Sequence, residues 1–239
     1  MSDRHLSSQY DADLTLLLKK LLEMGQLVES QVTQAMRALG TFNMAIVEQV
    51  VENERELNAM EVEIDEDVSN IIARRQPAAR DVRLLMAASK AVTDLERAGD
   101  EARKIARRIE HLQTDCSARK VNGAEIRISG EMAVRMLHNA LDAFARQDAV
   151  AAAQVIAEDE VVDNQFRAFV RRFVTCMTDN PRAISVGLDY LCIAKAIERI
   201  GDHATNIAEF TIYVGDGTDV RHRELEFTRR EAHGDEQQS

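Results

Sequence analysis

Apolar side chains recur along this chain in steps of three and four residues, the spacing of one face of an α-helix. One such stripe begins at Leu84 and ends at Ile109, and a second begins at Ile193 and ends at Val214. The alternation of apolar and polar residues that marks a half-buried strand is missing almost everywhere. Because the 239 residues include only two prolines, long stretches are free of helix breakers. The pattern predicts an all-α protein.

Breaks in this pattern divide the chain into six predicted helices. They fall at residues 40–43, around Pro77, at 114–123, at 147–148 and around Pro181. Asn43 and Asp148 stand at two of these breaks and are predicted N-caps, because their side-chain oxygens can accept from the free amides of a first turn. The predicted helices span about residues 12–39, 44–75, 79–111, 125–146, 149–178 and 184–214.

The most informative feature is an internal repeat, since ERAGD at 96–100 returns as ERIGD at 198–202, which is 102 residues later. The order of helix, Asx-capped turn, helix, proline-containing turn and helix repeats around it. We therefore predict two tandem three-helix bundles built from long antiparallel helices. Their expected bounds are residues 1–113 for the first repeat, 114–124 for a linker, 125–215 for the second repeat and 216–239 for a charged, flexible tail.

Charge and composition restrict the function classes. The 41 acidic and 30 basic residues give a net charge of −11, which argues against a nucleic-acid partner, because neutralising phosphates needs a basic face. The longest run without a charge, Ala38–Val47, is about half of what a membrane-spanning helix requires. The N-terminal residues lack the pattern of a secretion signal, and Cys116, Cys176 and Cys192 form no CxxC pair. These features predict a cytoplasmic protein with reduced thiols and no membrane insertion.

Each copy of the repeated motif places two acids four residues apart on one helical face, where they repel each other. The pairs are Glu96 with Asp100 and Glu198 with Asp202. Beside the first pair, Arg97, Arg103 and Lys104 can supply counter-charge. Beside the second pair, Thr205 and Asn206 take their places and only Arg199 lies close. The bland interpretation, a solvated acidic face, therefore suits the first copy better than the second.

The glycine inside each motif points to close helix packing. Glycine within a helix costs about 1 kcal/mol relative to alanine, yet Gly99 and Gly201 both lie on a buried stripe. A missing Cβ at these positions lets a neighbouring helix approach. Acids beside such a contact are partly desolvated, so they need protons, arginines or metal ions.

Further oxygen ligands fall on the second helix of each repeat. In the first repeat Glu54, Asn58, Glu61 and Asp65 follow in steps of four, three and four, which places them on one side. In the second repeat the corresponding run is Asp159, Asp163 and then Phe166, so one carboxylate is lost. A thiol-free set of carboxylates suits Mg, Mn, Ca or Fe better than a structural zinc ion.

A catalytic bundle of the di-iron carboxylate type is the rival interpretation. Such proteins normally use Glu-x-x-His pairs, but His111, His138 and His203 follow Arg108, Arg135 and Ile200 at that spacing. Only Asp219, in the tail, precedes a histidine in this way. His203 could be a ligand, although a lone histidine on a helix is more often paired with a neighbour. No nucleophile elbow or glycine-rich phosphate loop is present.

Several segments resemble the PhoU family: both ERxGD motifs, MEVEID at 60–65, IARRQPAARD at 72–81 and NIAEF at 206–210. The resemblance covers about residues 10–215. It implies a cytoplasmic homodimer made of two three-helix bundles per chain. It further implies a non-catalytic regulator that links a phosphate ABC transporter, through its ATPase subunit, to a sensor histidine kinase, and represses the starvation response when phosphate is plentiful.

In that family the E/D-x-x-x-D residues are associated with multinuclear clusters of metal ions. The resemblance leaves Fe, Mn, Mg and Zn open as the ion, and implies an incomplete second cluster because Phe166 stands where the first repeat has Glu61. A metal-dependent enzyme and a plain scaffold with solvated acids stay open as alternatives. The matching metal-site residues are Glu96, Asp100, Glu198, Asp202, Asn58, Glu61, Asp65, Asp159 and Asp163.

Overall fold

The computed structural model describes residues 8–75, 77–115, 123–179 and 183–216, and within those ranges it contains helices and no strand. The all-α prediction is confirmed. Most of the predicted 114–124 linker and 216–239 tail, and the break at Pro181, lie outside the described residues, so the repeat boundaries stay a prediction. The helices are α1 (Ser8–Thr41), α2 (Met44–Glu52), α3 (Glu54–Arg75), α4 (Ala79–Thr114), α5 (Ala124–Arg146), α6 (Ala149–Asp179) and α7 (Ile184–Asp216).

The predicted helix 44–75 is wrong in one respect, because a turn at Asn53 divides it into α2 and α3. Asn53 keeps helical dihedral angles, with φ −63° and ψ −15°. Its amide donates to the Gln49 carbonyl and its carbonyl accepts from the Leu57 amide, both at 3.1 Å. The chain therefore continues in nearly the same direction. Asparagine has a low intrinsic helix propensity, which fits a local irregularity at this position.

The first turn of each repeat has the same construction. Phe42 and Gln147, which are 105 residues apart, adopt left-handed conformations with φ of 52° and 54°. The next residues, Asn43 and Asp148, cap the helices that follow, each accepting a backbone amide at 3.0 Å. Both predicted N-caps are confirmed.

Two bundles result, one from α1, α2, α3 and α4 and one from α5, α6 and α7. They pack against each other through α4 on α7 and α1 on α5. Both predicted stripes are buried in this arrangement, from Leu84 to Ile109 and from Ile193 to Val214. The helices α4 and α7 run antiparallel, because Asp94 contacts Asn206 while Arg108, further along α4, contacts Asp189.

The contact between α1 and α5 is a reciprocal one. A Cβ on Gly25 would lie 2.3 Å from Leu141, and a Cβ on Gly130 would lie 2.3 Å from the Met36 sulfur. The two glycines are 105 residues apart, as are the two bulky partners. In each repeat, a glycine therefore leaves room for a large side chain of the other repeat.

Candidate functional site

Each bundle gathers its acids between its last two long helices. In the first bundle these are α3 and α4, and in the second they are α6 and α7. Asp100 and Asp202 also line one polar cavity of about 410 Å³ between α4 and α7. The two acidic clusters therefore flank the central contact between the bundles.

Cations neutralise part of the first cluster. Arg103 donates to Asp100 at 2.5 Å and lies 3.2 Å from Glu54, while Lys104 lies 3.3 Å from Asp100. Burial favours the neutral form of Asp100, but the hydrogen bonds from Arg103 and Lys104 outweigh it and hold the pKa of Asp100 below its ordinary value. The prediction of counter-charge beside the first pair is confirmed for Arg103 and Lys104.

The remaining acids of the first repeat lie on both α3 and α4. Burial and the neighbouring Asp100 raise the pKa of Glu96, and burial, Glu96 and Asp65 raise the pKa of Glu61. Asp65 accepts a hydrogen bond of 2.6 Å from Ser89. Asn58 is exposed on α3. The structure thus brings Glu96 into electrostatic contact with both Glu61 and Asp100.

The second cluster is the more convergent one. Carboxylate oxygens of Asp163, Glu198 and Asp202 all lie within 4.8 Å of one another. Lys195 lies 2.6 Å from Glu198, and Arg167 donates to Asp163 at 2.6 Å. Three converging carboxylate oxygens on partly buried side chains form a donor set that a hard cation would fit.

The expectation that only Arg199 lies close to the second pair missed a second cation, Lys195. Arg199 reaches across the central contact and donates to Glu101 of the first bundle at 3.0 Å. Lys195, three residues before Glu198, is the cation that pairs with the acid. Lys195 also lies 5.4 Å from the centre of the Phe166 ring. The aromatic residue that replaces a carboxylate here therefore supports a lysine beside the cluster.

Negative charge nevertheless exceeds what these cations offset. Burial, together with Asp202, Asp163 and Glu198, raises the pKa of Asp159 to about 6. Burial and Glu198 also raise the pKa of Asp202. A Cβ on Gly201 would lie 3.3 Å from Oδ1 of Asp159. Because Gly201 has no side chain, Asp159 has room to pack against α7.

Sequence reasoning missed a buried polar contact between the bundles. The Asp94 side chain is 7% exposed, and its Oδ1 lies 2.8 Å from His203 Nδ1 and accepts from Asn206 at 3.0 Å. His203 is therefore paired with a neighbour, as the bland interpretation predicted. The sequence shows Asp94 as an acid beside the apolar stripe of α4. Its partners on α7 could not be predicted, because they depend on the antiparallel register of the two helices.

Within the ranges that the structure describes, no helix is both long enough and apolar enough to cross a membrane.

Comparison with known proteins gives consistent matches along the chain. The PhoU domain family matches it twice, over residues 21–109 and 126–211. A phosphate-specific transport system accessory protein PhoU homolog from a Burkholderia species is 52% identical over 97% of this chain and 99% of its own. The crystal structure of PhoU from Pseudomonas aeruginosa is 44% identical, with a TM-score of 0.84 over 87% of this chain and all of that one.

A more distant solved structure has the same fold. It is the phosphate transport system regulatory protein PhoU from Streptococcus pneumoniae, which is 26% identical. The TM-score is 0.82, and the match covers 88% of this chain and 99% of that chain.

Proposed function

Because this chain belongs to the PhoU family of phosphate-transport accessory proteins, we propose that it couples a phosphate ABC transporter to a sensor histidine kinase. It does so in the cytoplasm, contacting the ATPase subunit of the transporter, and it represses the starvation response when phosphate is plentiful. The observation that supports this proposal best is the 52% identity to a named accessory protein over nearly the full length of both chains.

The chain is a regulator and not an enzyme, since its relatives are named accessory and regulatory proteins. The di-iron carboxylate alternative is therefore wrong. The acids serve binding: Lys195 and Arg103 each pair with one carboxylate, and the oxygens of Asp163, Glu198 and Asp202 converge between α6 and α7.

The donor set supports metal binding as part of this function. Asp163, Glu198 and Asp202, with Asp159 beside them, would hold a divalent or trivalent ion in the second repeat. The predicted first-repeat residues Asn58, Glu61, Asp65, Glu96 and Asp100 stay a prediction, since among the described residues the acids that converge within 4.8 Å of one another belong to the second repeat. A bound Fe, Mn, Mg or Zn ion supplies positive charge that offsets the repulsion among the acids. The chain contributes a convergent set of hard oxygen ligands.

Deleting the gene tests the regulatory role. We expect phosphate-scavenging genes to be expressed in high phosphate after deletion, and the wild-type chain to restore repression. Reporter expression in high and low phosphate is the measurement. A deletion strain that still represses these genes in high phosphate would contradict the proposal.

The metal proposal has its own test. We expect Asp163→Asn with Asp202→Asn to lose most of the metal that wild-type protein retains when purified without chelator, as measured by elemental mass spectrometry. The matched control is Glu158→Gln with Glu160→Gln, two exposed acids on the same helix. Equal metal content in the wild type and both variants would contradict the assignment of Asp163 and Asp202 as metal ligands.

A homodimer is part of the same proposal. We expect sedimentation equilibrium at micromolar concentration to give twice the chain mass of 26.8 kDa. A monomer under those conditions would contradict the proposed homodimer.

A further inference from the structure

A cavity of about 540 Å³ opens among α5, α6 and α7 of the second bundle. Its walls are mainly apolar and include Ile126, Val162, Phe169 and Ile197. Glu198 of the second acidic cluster lines it as well, so the cavity adjoins that cluster. Cavities of this size hold several apolar groups.

The two bundles can be compared position by position around this cavity. Lys20 on α1 pairs with Asp67 on α3 at 2.5 Å, and Glu125 on α5 pairs with Arg172 on α6. Both residues of the second pair follow their counterparts by 105 positions. The same bridge therefore recurs with its charges exchanged, which fixes the correspondence between α3 and α6.

This correspondence shows that smaller side chains open the cavity. Ala168 stands where the first bundle has Glu63, which accepts from Lys20 at 2.6 Å and so covers the surface there. Ala194 stands where the first bundle has Val92, which is fully buried. The second bundle has thus lost one covering ion pair and one core side chain at the same place.

Apolar surface continues from the cavity onto the outside of the protein. Ile128 lines the cavity on α5 and is 52% exposed. Val161 on α6 is 48% exposed and lies one turn before Gln165, which also lines the cavity. A small molecule inside the cavity would leave both side chains in water, whereas a protein segment laid across α5 and α6 would cover them.

The charge at the cavity rim further restricts which partner can bind there. Arg171 lines the cavity, and its guanidinium makes no ion pair with any residue in the described part of the chain. Its neighbour Arg172 is already paired with Glu125. Arg171 therefore contributes a positive charge at this rim that matches a carboxylate.

We propose that this cavity is the docking site for an amphipathic helix of a partner protein. A large apolar side chain of that helix enters the cavity, its flanking apolar residues cover Ile128 and Val161, and its carboxylate meets Arg171. The inference rests on the proposed function, since the transporter ATPase subunit or the kinase supplies the helix.

Binding of the full-length chain to the purified ATPase subunit and to the cytoplasmic part of the kinase tests this proposal. We expect Ala168→Leu, which fills the cavity, and Arg171→Glu, which reverses the rim charge, each to weaken binding to one partner at least about tenfold. Ile128→Ala with Val161→Ala should weaken the same complex. Arg171 is exposed, so its variant keeps the test informative if the filled variant misfolds.

Matched controls come from exposed residues of the first bundle. Leu16→Ala with Val62→Ala and Arg74→Glu change the same residue types there and should leave the affinity within about twofold. If the wild type binds a partner and the cavity variants bind it equally well, this inference is wrong and the proposed function stands. If the wild type binds neither partner, both are wrong.

Other occupants give different results, and each would overturn the proposal. A change in the oligomeric mass of the chain alone, caused by Ala168→Leu, would assign the cavity to a second copy. A small organic compound released from denatured wild-type protein, and absent from the filled variant, would assign it to a low-molecular-weight ligand. Circular dichroism and the thermal midpoint of each variant confirm that the fold is intact.

Discussion

At the scale of single residues, Asp159 is held where its ionisation is costly. Its folded pKa of about 6 lies above its ordinary value of 3.8, so the folded state binds more protons between those two values. The contribution of Asp159 to stability therefore falls as the pH rises through that window. Above pH 6 the charged carboxylate lowers the free energy of unfolding of the metal-free protein.

Asp159→Asn should accordingly stabilise the metal-free protein. We expect the free energy of unfolding at pH 7 to rise by roughly 1 to 2 kcal/mol, after allowance for solvent screening, and the gain to vanish near pH 4. Urea denaturation in chelator at both pH values is the measurement. Glu158→Gln, an exposed neighbour, should show no pH-dependent gain. A loss of stability on Asp159→Asn at pH 7 would mean that the charged carboxylate is well solvated.

The individual charges of the site were partly readable from the sequence. Asp100 with Lys104 follows from helical spacing, and so does Lys195 with Glu198, although the latter pair was overlooked. The ion pair of Arg199 with Glu101 could not be predicted, because Glu101 belongs to the other bundle. Spacing reveals neighbours on one helix, whereas a contact between helices depends on their relative register.

At the scale of helices, the two motif glycines differ in what covers them. A Cβ on Gly99 would lie 2.1 Å from the Leu57 side chain and 3.1 Å from the side-chain Oε1 of Gln31. A Cβ on Gly201 would meet Asp159 at 3.3 Å and Val162 at 3.7 Å. The first contact forces a buried leucine to move, while the second is close to ordinary van der Waals distance.

Alanine should therefore be tolerated unequally at the two positions. We expect Gly99→Ala to lower the free energy of unfolding by about 1 to 3 kcal/mol through overpacking, even though alanine favours the helix. Gly201→Ala should cost at least about 1 kcal/mol less. Chemical denaturation of both variants under one condition gives the comparison, and equal losses would show that helix propensity, not packing, decides.

Most of the helical layout could be predicted from the sequence, because apolar periodicity and Asx caps are local signals. Asn43 and Asp148 were correctly placed as caps for this reason. The turn at Asn53 was not predicted, since its residues keep nearly helical geometry and apolar spacing continues across it. Local patterns show where a helix ends but not where it only loosens.

At the scale of the whole molecule, the contact between Asp94, His203 and Asn206 joins the two bundles. We expect Asp94→Ala to lower the free energy of unfolding by about 1 to 3 kcal/mol, because it leaves two partly buried donors without their acceptor. In a background that carries His203→Ala and Asn206→Ala, the same substitution should cost markedly less. The measurement is chemical denaturation of the wild type, Asp94→Ala, the double variant and the triple variant. If Asp94→Ala costs the same free energy in both backgrounds, the contact contributes nothing to stability.

The pairing of the bundles lay beyond sequence reasoning, although its ingredients are visible. The repeat at 96–100 and 198–202 indicates two similar units, but not that α4 lies on α7 in antiparallel register. The cavity of the second bundle likewise needs Ala168 and Ala194 to be placed beside each other in space. Long-range contacts of this kind have no short-range signature.

The interlocking of α1 with α5 has a consequence for synthesis. Leu141, which covers Gly25, is translated 116 residues later, at about 5 to 20 residues per second a delay of roughly 6 to 23 seconds. Until then the emerging N-terminal half exposes an apolar seam at the ribosome. In each half a glycine is covered by a side chain of the other half, so synthesis of the C-terminal half completes the packing of both.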